Sequence, residues 1–161
     1  MAVDYTIKIE GIDGESKVKN HEDEIDLVEF HWAAAQSGTT HRGAGGNKGK
    51  VNVQDLVFTK YTDKASVPLM LACCTGRHVT RATLTARKAN TDEPLDFFVM
   101  RFKNCLVSRF ETDSTDGQDR PLEKFALSFG EFKLDYVPQR EDGGGEGVVT
   151  GGFDLTVNEK I

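Results

Sequence analysis

One short helix in a chain that otherwise favours β-strands is the feature that most limits the fold. The spacing of the apolar residues changes after residue 61, and residues 66–75, SVPLMLACCT, have the features of a helix. Ser66 suits the N-cap, Pro68 suits the first turn, and Gly76 suits a left-handed residue at the C-terminal end. The run from Leu69 to Cys74 is wholly apolar. We therefore expect this helix to be buried on more than one side.

The rest of the chain shows the alternation of apolar and polar residues that β-strands have. Its parity changes at three places: within residues 25–34, between Val53 and Leu56, and at Gly130 with Glu131. A strand that changes faces without breaking usually carries a bulge, which bends it. We therefore expect about eight strands, curled into a mainly antiparallel barrel or a two-sheet sandwich around the helix.

The length of 161 residues suits one domain, residues 1–161, with a core of its own. The three cysteines are an odd number, and Cys73 and Cys74 are adjacent, which favours folding in a reducing compartment such as the cytoplasm. The N-terminus enters a strand pattern at once, so we expect no cleaved signal peptide. No apolar run reaches the roughly 18 residues of a membrane span.

The charge is unevenly distributed along the chain. Residues 1–30 carry nine acids and three bases, residues 110–161 carry twelve and five, and residues 31–109 carry five acids and twelve bases. Either these segments interleave in space, or they form an acidic and a basic face that attract each other between copies. The net charge of -6 argues against nucleic acid and anionic membranes as partners.

Three patterns that could indicate catalysis or a cofactor fail on inspection. Residues 43–51, GAGGNKGKV, lack the first glycine and the Ser or Thr of a phosphate-binding loop. The histidines at 21, 31, 41 and 78 have no nucleophile or carboxylate at a family-like spacing, so we expect unconnected surface histidines. Without a CxxC motif or paired histidines we expect no metal. The sequence predicts no cofactor and no enzymatic activity.

Residues 36–50, QSGTTHRGAGGNKGK, contain five glycines and no large apolar residue. Such a segment buries too little surface to order itself, and loops of this length are usually functional or disordered. We therefore expect an extended glycine-rich loop that reaches away from the barrel.

Several stretches together resemble the haemolysin-coregulated protein (Hcp) family, the tube protein of bacterial type VI secretion. They cover nearly the whole chain, and the block VQDLVFTKYTDK followed by the helix is highly specific. The matching stretches are MAVDYTIKIEGIDGESK, KVNVQDLVFTKYTDKAS, LMLACCTGRH, ATLTARKA, LSFGEFKLDYVPQ and GGFDLTVN.

The resemblance implies a β-barrel of two sheets with one helix, similar to phage tail tubes. It implies hexameric rings that stack into a hollow tube inside a contractile sheath, with a spike protein at the tip and effector proteins in the lumen. The protein would be made in the cytoplasm and secreted through the type VI apparatus. No catalysis or cofactor is implied.

On this basis we assign two sets of residues. Glu29, His31 and Ala33 lie opposite the inward Phe30 and Trp32, so we expect them on the lumen wall that touches effectors. The glycine-rich loop is expected to join stacked rings through Ser37, Arg42, Gly43, Gly45, Gly46, Lys48 and Gly49. The alternative is a monomeric ligand-binding β-barrel, which predicts a concave aromatic platform, whereas the only tryptophan, Trp32, falls in an inward-facing set.

Overall fold

The structure is a computed structural model that describes residues 2–37, 50–88, 93–114 and 116–161. These residues are mostly strand, with one helix, as the sequence predicts. The elements are β1 (Val3–Ile9), β2 (Ile25–Leu27), β3 (Glu29–His31), β4 (Ala34–Ala35), β5 (Asn52–Val53), β6 (Leu56–Tyr61), α1 (Ser66–Thr75), β7 (His78–Lys88), β8 (Leu95–Asp113), β9 (Leu122–Tyr136), β10 (Val149–Asp154) and β11 (Glu159–Lys160).

Helix α1 has the predicted bounds but a different N-terminal end. Ala65, not Ser66, is the N-cap, and it makes no side-chain capping bond. The cap prediction was wrong because Ser66 lies inside the first turn, where its hydroxyl donates to the Glu123 carboxylate at 2.7 Å. The C-terminal prediction is confirmed, since Gly76 has φ 63° and its N–H donates to the carbonyl of Cys73. A left-handed residue there favours glycine.

Most strands belong to one antiparallel sheet in the order β2, β1, β7, β8, β9. Beyond β9 the sheet divides, because β9 is long enough to pair with two strands on its other edge. Its first half, Leu122–Leu127, pairs with β6, and its second half pairs with β10, which in turn pairs with β11. The strands β4 and β5 form a separate two-stranded ladder.

The two ends of this sheet meet at Val28. Strand β2 pairs with β1 at one end of the sheet, whereas β3 pairs with β6 at the other. Only Val28 separates β2 from β3, and its N–H donates to the carbonyl of Thr59 at 2.7 Å. One short segment therefore bridges both ends of a curled sheet, which gives a barrel-like fold whose hydrogen-bonded ladders stop short of full closure.

None of the three parity changes predicted from sequence is a register-shifting bulge in the structure. Residues 25–34 form separate short strands that change partners, and β5 ends at Val53 before β6 begins at Leu56. Both are breaks rather than bulges in a continuous strand. Strand β9 does continue through Gly130, and opposite it Asn104 of β8 has a left-handed φ of 56°. The register of β8 and β9 shifts elsewhere, between Val107 and Arg109.

The core lies inside the curled sheet and beneath α1. Its fully buried side chains come from every long strand and from one face of the helix, so the strand alternation read from the sequence does find the core. Rings of Phe58 and Phe125 stack with centroids 4.8 Å apart. Among the largest buried residues are Ile7, Ile9, Leu56, Phe58, Leu69, Leu84, Met100, Phe102, Phe125 and Leu127.

Candidate assembly and cargo surfaces

The predicted ring-stacking loop leaves the barrel from the β4–β5 ladder. Ala34 pairs with Val53 and Ala35 pairs with Asn52, so residues 36–51 begin and end at a two-stranded stalk. Ser37 is exposed, and its N–H donates to the side-chain oxygen of its neighbour Gln36. The other candidates, Arg42, Gly43, Gly45, Gly46, Lys48 and Gly49, lie outside the described residues.

An apolar cleft of about 350 Å³ lies where the stalk meets the sheet. Alanine and valine side chains of the stalk face two phenylalanines of β9 and β10 across it. This volume lies at the lower end of the roughly 300–1,000 Å³ of typical small-molecule pockets. Its lining residues are Ala34, Gln36, Val51, Val53, Phe132, Phe153 and Asn158.

The lumen candidates Glu29 and His31 lie on one exposed face of a four-stranded sheet. Glu29 pairs with Thr59 of β6, whose hydroxyl donates to the Glu29 carboxylate at 3.3 Å, and His31 pairs with Val57. Phe30, between them, points to the other face, where its ring centroid lies 5.7 Å from those of Tyr5 and Phe98. We name the surface that carries Glu29 and His31 the polar sheet face.

Strand pairing adds charged residues to the polar sheet face that sequence reasoning missed. Opposite Thr59 on β9 is Lys124, which pairs with Glu111 of β8. Opposite Val57 on β9 is Ala126, which pairs with Arg109 of β8. The outward alternation within β8 and β9 is visible in the sequence, but their register with β3 is not. The completed face carries charges of both signs, including the ion pair of Arg109 with Glu111, which suits contact with polar protein surfaces.

Ala33 does not belong to β3 and is only half-buried. Its carbonyl accepts a hydrogen bond from the N–H of Gln54 at 3.0 Å. The preceding residue, Trp32, is partly buried and packs against the core: its ring centroid lies 5.1 Å from that of Phe132, and its indole N–H donates to the Gln54 carbonyl at 3.1 Å. Trp32 therefore does not supply the aromatic platform that the ligand-binding alternative requires.

Helix α1 leaves an apolar surface open, contrary to the sequence prediction that it is buried on more than one side. Ser66, Leu69 and Ala72 are buried, and α1 packs against β8. On the opposite side Val67 is 60% exposed and Leu71 is 51% exposed. Large apolar side chains this exposed and adjacent on a helix mark contact surfaces when they are continuous. We name Val67 and Leu71 the open helix face.

Sequence reasoning was also wrong about His21, which is not an unconnected surface histidine. Its side chain is almost fully buried, and its two ring nitrogens lie 3.0 Å from carboxylate oxygens of Glu24 and Asp96. Burial lowers the pKa of His21, but hydrogen bonds and charges from Glu24 and Asp96 raise it more, so the pKa lies above its ordinary value of 6.5. The other histidine in a candidate site, His31, is exposed.

The uneven charge along the chain is partly balanced within one protomer. Basic residues of β8 pair with acidic residues of β9: Arg101 with Asp135, and Lys103 with Glu131 at 3.2 Å. The buried ammonium of Lys60 lies 2.8 Å from Glu123. Of the two interpretations of the charge pattern, the structure therefore favours segments that interleave over fully separate faces.

Within residues 2–37, 50–88, 93–114 and 116–161 there is no group of three or more side chains placed to hold a metal ion. The same ranges contain no helix with the length and apolarity needed to cross a membrane. The polar sheet face offers polar contacts and the open helix face offers apolar area, and both are elements of protein–protein recognition.

A family model described as "Type VI secretion system effector, Hcp" matches residues 6–136, from β1 to the end of β9. The chain belongs to the Hcp family. The match includes α1, the polar sheet face and the segment between the stalk strands, whereas Phe153 and Asn158 of the cleft lie outside it. Its description names a secretion-system protein and no reaction.

Individual relatives agree with the family match. Protein hcp1 of Pseudomonas aeruginosa is 46% identical over 147 residues, which is 91% of this chain and 91% of that protein. A solved type six secretion system protein superposes with a TM-score of 0.93 at 32% identity, covering 99% of this chain and all of the other. Hcp1 from Salmonella typhimurium gives a TM-score of 0.81 at 37% identity over the full length of both chains. These structures confirm the mainly β, barrel-like Hcp fold.

Proposed function

We propose that this Hcp chain is the tube subunit of a type VI secretion system. Six copies form a ring, rings stack head to tail into a hollow tube, and the tube is propelled out of the cell with effector proteins in its lumen. Family membership supports the secretion role, and the open helix face is the observation that supports self-assembly. The protomer leaves Val67 and Leu71 in water, although both belong to a helix that is apolar almost throughout.

A closed ring requires each copy to present one surface that meets a different surface of the next copy. The open helix face suits one half of such a contact, because burying the exposed half of each aliphatic side chain contributes about 1–2 kcal/mol. The partners of the assembled tube are further copies of this chain, a spike protein at the tip, the contractile sheath and the effectors. The protein is made in the cytoplasm and leaves through the apparatus itself.

Substituting Leu71→Glu tests the ring contact. A carboxylate at the centre of an apolar contact loses its hydration, so we expect the ring to dissociate into folded protomers. Gln118→Glu adds the same charge at an exposed position before β9 and is expected to leave the ring intact. Light scattering after size exclusion separates the protomer of 17.8 kDa from a ring of six times that mass. A variant Leu71→Glu that remains hexameric would remove the helix from the contact.

Residues 36–51 are proposed to join one ring to the next, because the described residues at their two ends, 36–37 and 50–51, adjoin the β4–β5 stalk rather than the barrel sheet. Deleting residues 38–49 is expected to leave rings folded but unable to form tubes. Negative-stain electron microscopy distinguishes the two states directly. A deletion variant that polymerises as well as the parent protein would refute this role for the loop.

The polar sheet face is proposed to line the lumen, where Glu29 and His31 contact effectors. Ala33 remains a candidate only beside that face, since it lies outside β3. Substituting His31→Glu places two acids two residues apart on β3 and should impair effector retention without disturbing hexamers. Thr80→Glu, at an exposed position of β7, is the matched control. Equal co-purification of effectors with both variants would withdraw the assignment.

The monomeric ligand-binding barrel remains the alternative. The cleft between the stalk and the sheet is the one observation that favours it, because its lining is mainly apolar. That alternative predicts a protein that stays near 17.8 kDa at every concentration.

A further inference from the structure

The segment between β1 and β2 has little regular secondary structure, yet it is closely held. Gly14 donates its N–H to the carbonyl of Asp23 at 2.8 Å, and Ser16 donates to the carbonyl of Glu24 at 3.0 Å. These bonds fold residues 11–24 back on themselves. His21 lies near the end of this segment, where it faces the end of the β7–β8 hairpin.

The two contacts of His21 require a particular protonation state. Nδ1 lies 3.0 Å from Oε1 of Glu24, and Nε2 lies 3.0 Å from Oδ2 of Asp96. A neutral imidazole has one N–H, so it can donate to only one of these carboxylates. The other nitrogen would then turn its lone pair toward a carboxylate oxygen. Only the imidazolium, with two N–H groups, satisfies both contacts.

The carboxylate of Asp96 is fixed from the other side by Arg87. Its Oδ1 accepts a hydrogen bond from Nε of Arg87 at 2.8 Å, and Arg87 also donates to the carbonyl of Lys19. Arg87 on β7 and Asp96 on β8 are themselves paired across the hairpin. The segment 11–24 is therefore joined to the hairpin end by two bridges. The bond from Arg87 to the carbonyl of Lys19 is permanent, whereas the bond between His21 and Asp96 depends on a proton.

The remaining charged groups near His21 favour its protonation. Glu24 keeps one buried oxygen, Oε2, without a partner among the described residues. Glu22, on the same segment, is an exposed carboxylate whose pKa is lowered by backbone hydrogen bonds first and, to a smaller extent, by the charges of His21 and Arg87. Three acids thus surround His21 against one base, Arg87. Neutral His21 would leave the two carboxylates that contact it facing each other without a cation between them.

We propose that His21 is a proton-operated latch that fastens residues 11–24 to the end of the β7–β8 hairpin. The latch closes when the imidazole is protonated and loosens when it becomes neutral. Because the pKa of His21 in the folded protein lies above the ordinary value of 6.5, the stabilisation is complete below about 6.5 and is lost as pH rises through the higher folded value. Protonation of histidine near neutral pH is the basis of many protein pH switches.

The latch acts at one end of the barrel, where other elements also meet. Beside it, Lys88 donates to the side chain of Gln139 at 2.7 Å, which connects the same hairpin end to the turn after β9. Loosening His21 therefore leaves residues 11–24 attached to the hairpin end through the bond from Arg87 to the carbonyl of Lys19, while Lys88 still holds the hairpin to Gln139. This inference concerns one protomer and does not depend on the proposed tube function.

Hydrogen exchange of the peptide that contains residues 11–24 tests the latch between pH 6 and 9, after correction for the intrinsic effect of pH. In the parent protein we expect protection to fall as pH rises, by about tenfold for each unit by which the closed latch raises the pKa of His21. His21→Gln cannot carry the second proton, so its protection should be low and independent of pH. His78→Gln, at an exposed histidine, should behave as the parent protein does.

A second variant keeps the test decisive if His21→Gln does not fold. Asp96→Asn removes one of the two charges and should move the midpoint of the parent transition to lower pH, as measured by NMR of the His21 ring. Protection that is flat from pH 6 to 9 in the parent protein would overturn the proposal. So would a midpoint that Asp96→Asn leaves unchanged. Oligomeric state, measured in the same samples, reports separately on the proposed tube function.

Discussion

Lys60 is a completely buried cation, and replacing it gives the most direct test of how this fold is held together. Its ammonium lies 2.8 Å from Asp63, 2.8 Å from Glu123 and 3.0 Å from the hydroxyl of Ser66. The Lys60 side chain has no exposed surface, and those of Asp63 and Glu123 are 8% and 4% exposed. The cluster joins β6, β9 and the first turn of α1.

Substituting Lys60→Met should cost about 3–5 kcal/mol of unfolding free energy, because it leaves two buried carboxylates without their cation. For a chain of this length that corresponds to a fall in Tm of roughly 6–20 °C. The double variant Lys60→Met with Glu123→Leu removes one of those carboxylates. It should be less destabilised than the sum of the two single variants, by about 1–3 kcal/mol.

Urea unfolding followed by circular dichroism measures these differences, with all variants at one protein concentration because assembly shifts apparent stability. Lys64→Met is the matched control, since Lys64 is 54% exposed and its amine lies 4.0 Å from Asp23. Pairs this exposed contribute about 0–1 kcal/mol. The reasoning fails if Lys60→Met costs no more than Lys64→Met, or if the singles and the double variant are additive.

Further predictions address the backbone, a buried thiol and one carboxylate. A Cβ on Gly14 would lie 2.4 Å from the carbonyl oxygen of Glu24, so Gly14→Ala should lower Tm, whereas Gly147→Ala, with no atom within 4 Å of the added Cβ, should not. Burial raises the pKa of Cys105 to about 11, so at pH 8 about a thousandth of it is thiolate; mass spectrometry should find it unalkylated in the native protein and alkylated in denaturant. The hydroxyl of Thr150 is the main cause of the lowered pKa of Asp135. Thr150→Val should therefore raise the pKa of Asp135, which an NMR titration measures. Ionised Asp135 stabilises the fold above its ordinary pKa, and as acid is added the variant should lose this stabilisation at a higher pH than the parent protein does.

The elements that the sequence predicts well are those fixed by local chemistry. Helix α1 has the predicted bounds because Pro68, Gly76 and an apolar run determine it within a dozen residues. Strand β1 follows from simple alternation. The cap at Ser66 was mispredicted because its hydroxyl is used by Glu123, which is 57 residues away in the chain. A sequence pattern cannot contain such a pairing.

The same limit explains what was found and missed at the functional surfaces. Glu29 and His31 could be placed opposite Phe30 from alternation alone, and the structure agrees that both are exposed. Lys124 joins them only through the register of two strand pairs. His21 was misjudged for the same reason, since its partner Asp96 is 75 residues away.

The buried cluster around Lys60 also explains why α1 can leave an apolar face open without becoming disordered. Ser66 accepts hydrogen bonds from Lys60 and from the N–H of Asp63, and it donates to Glu123, so its hydroxyl is fully used. The first turn of α1 is thereby fixed to two strands by polar bonds, while Leu69 and Ala72 fix the rest by packing. With both attachments on one side, Val67 and Leu71 are held in one place as a preformed surface. Preorganisation reduces the conformational entropy that is lost on binding. A variant of the Lys60 cluster that still folds should therefore form hexamers more weakly than its loss of folding stability alone would predict.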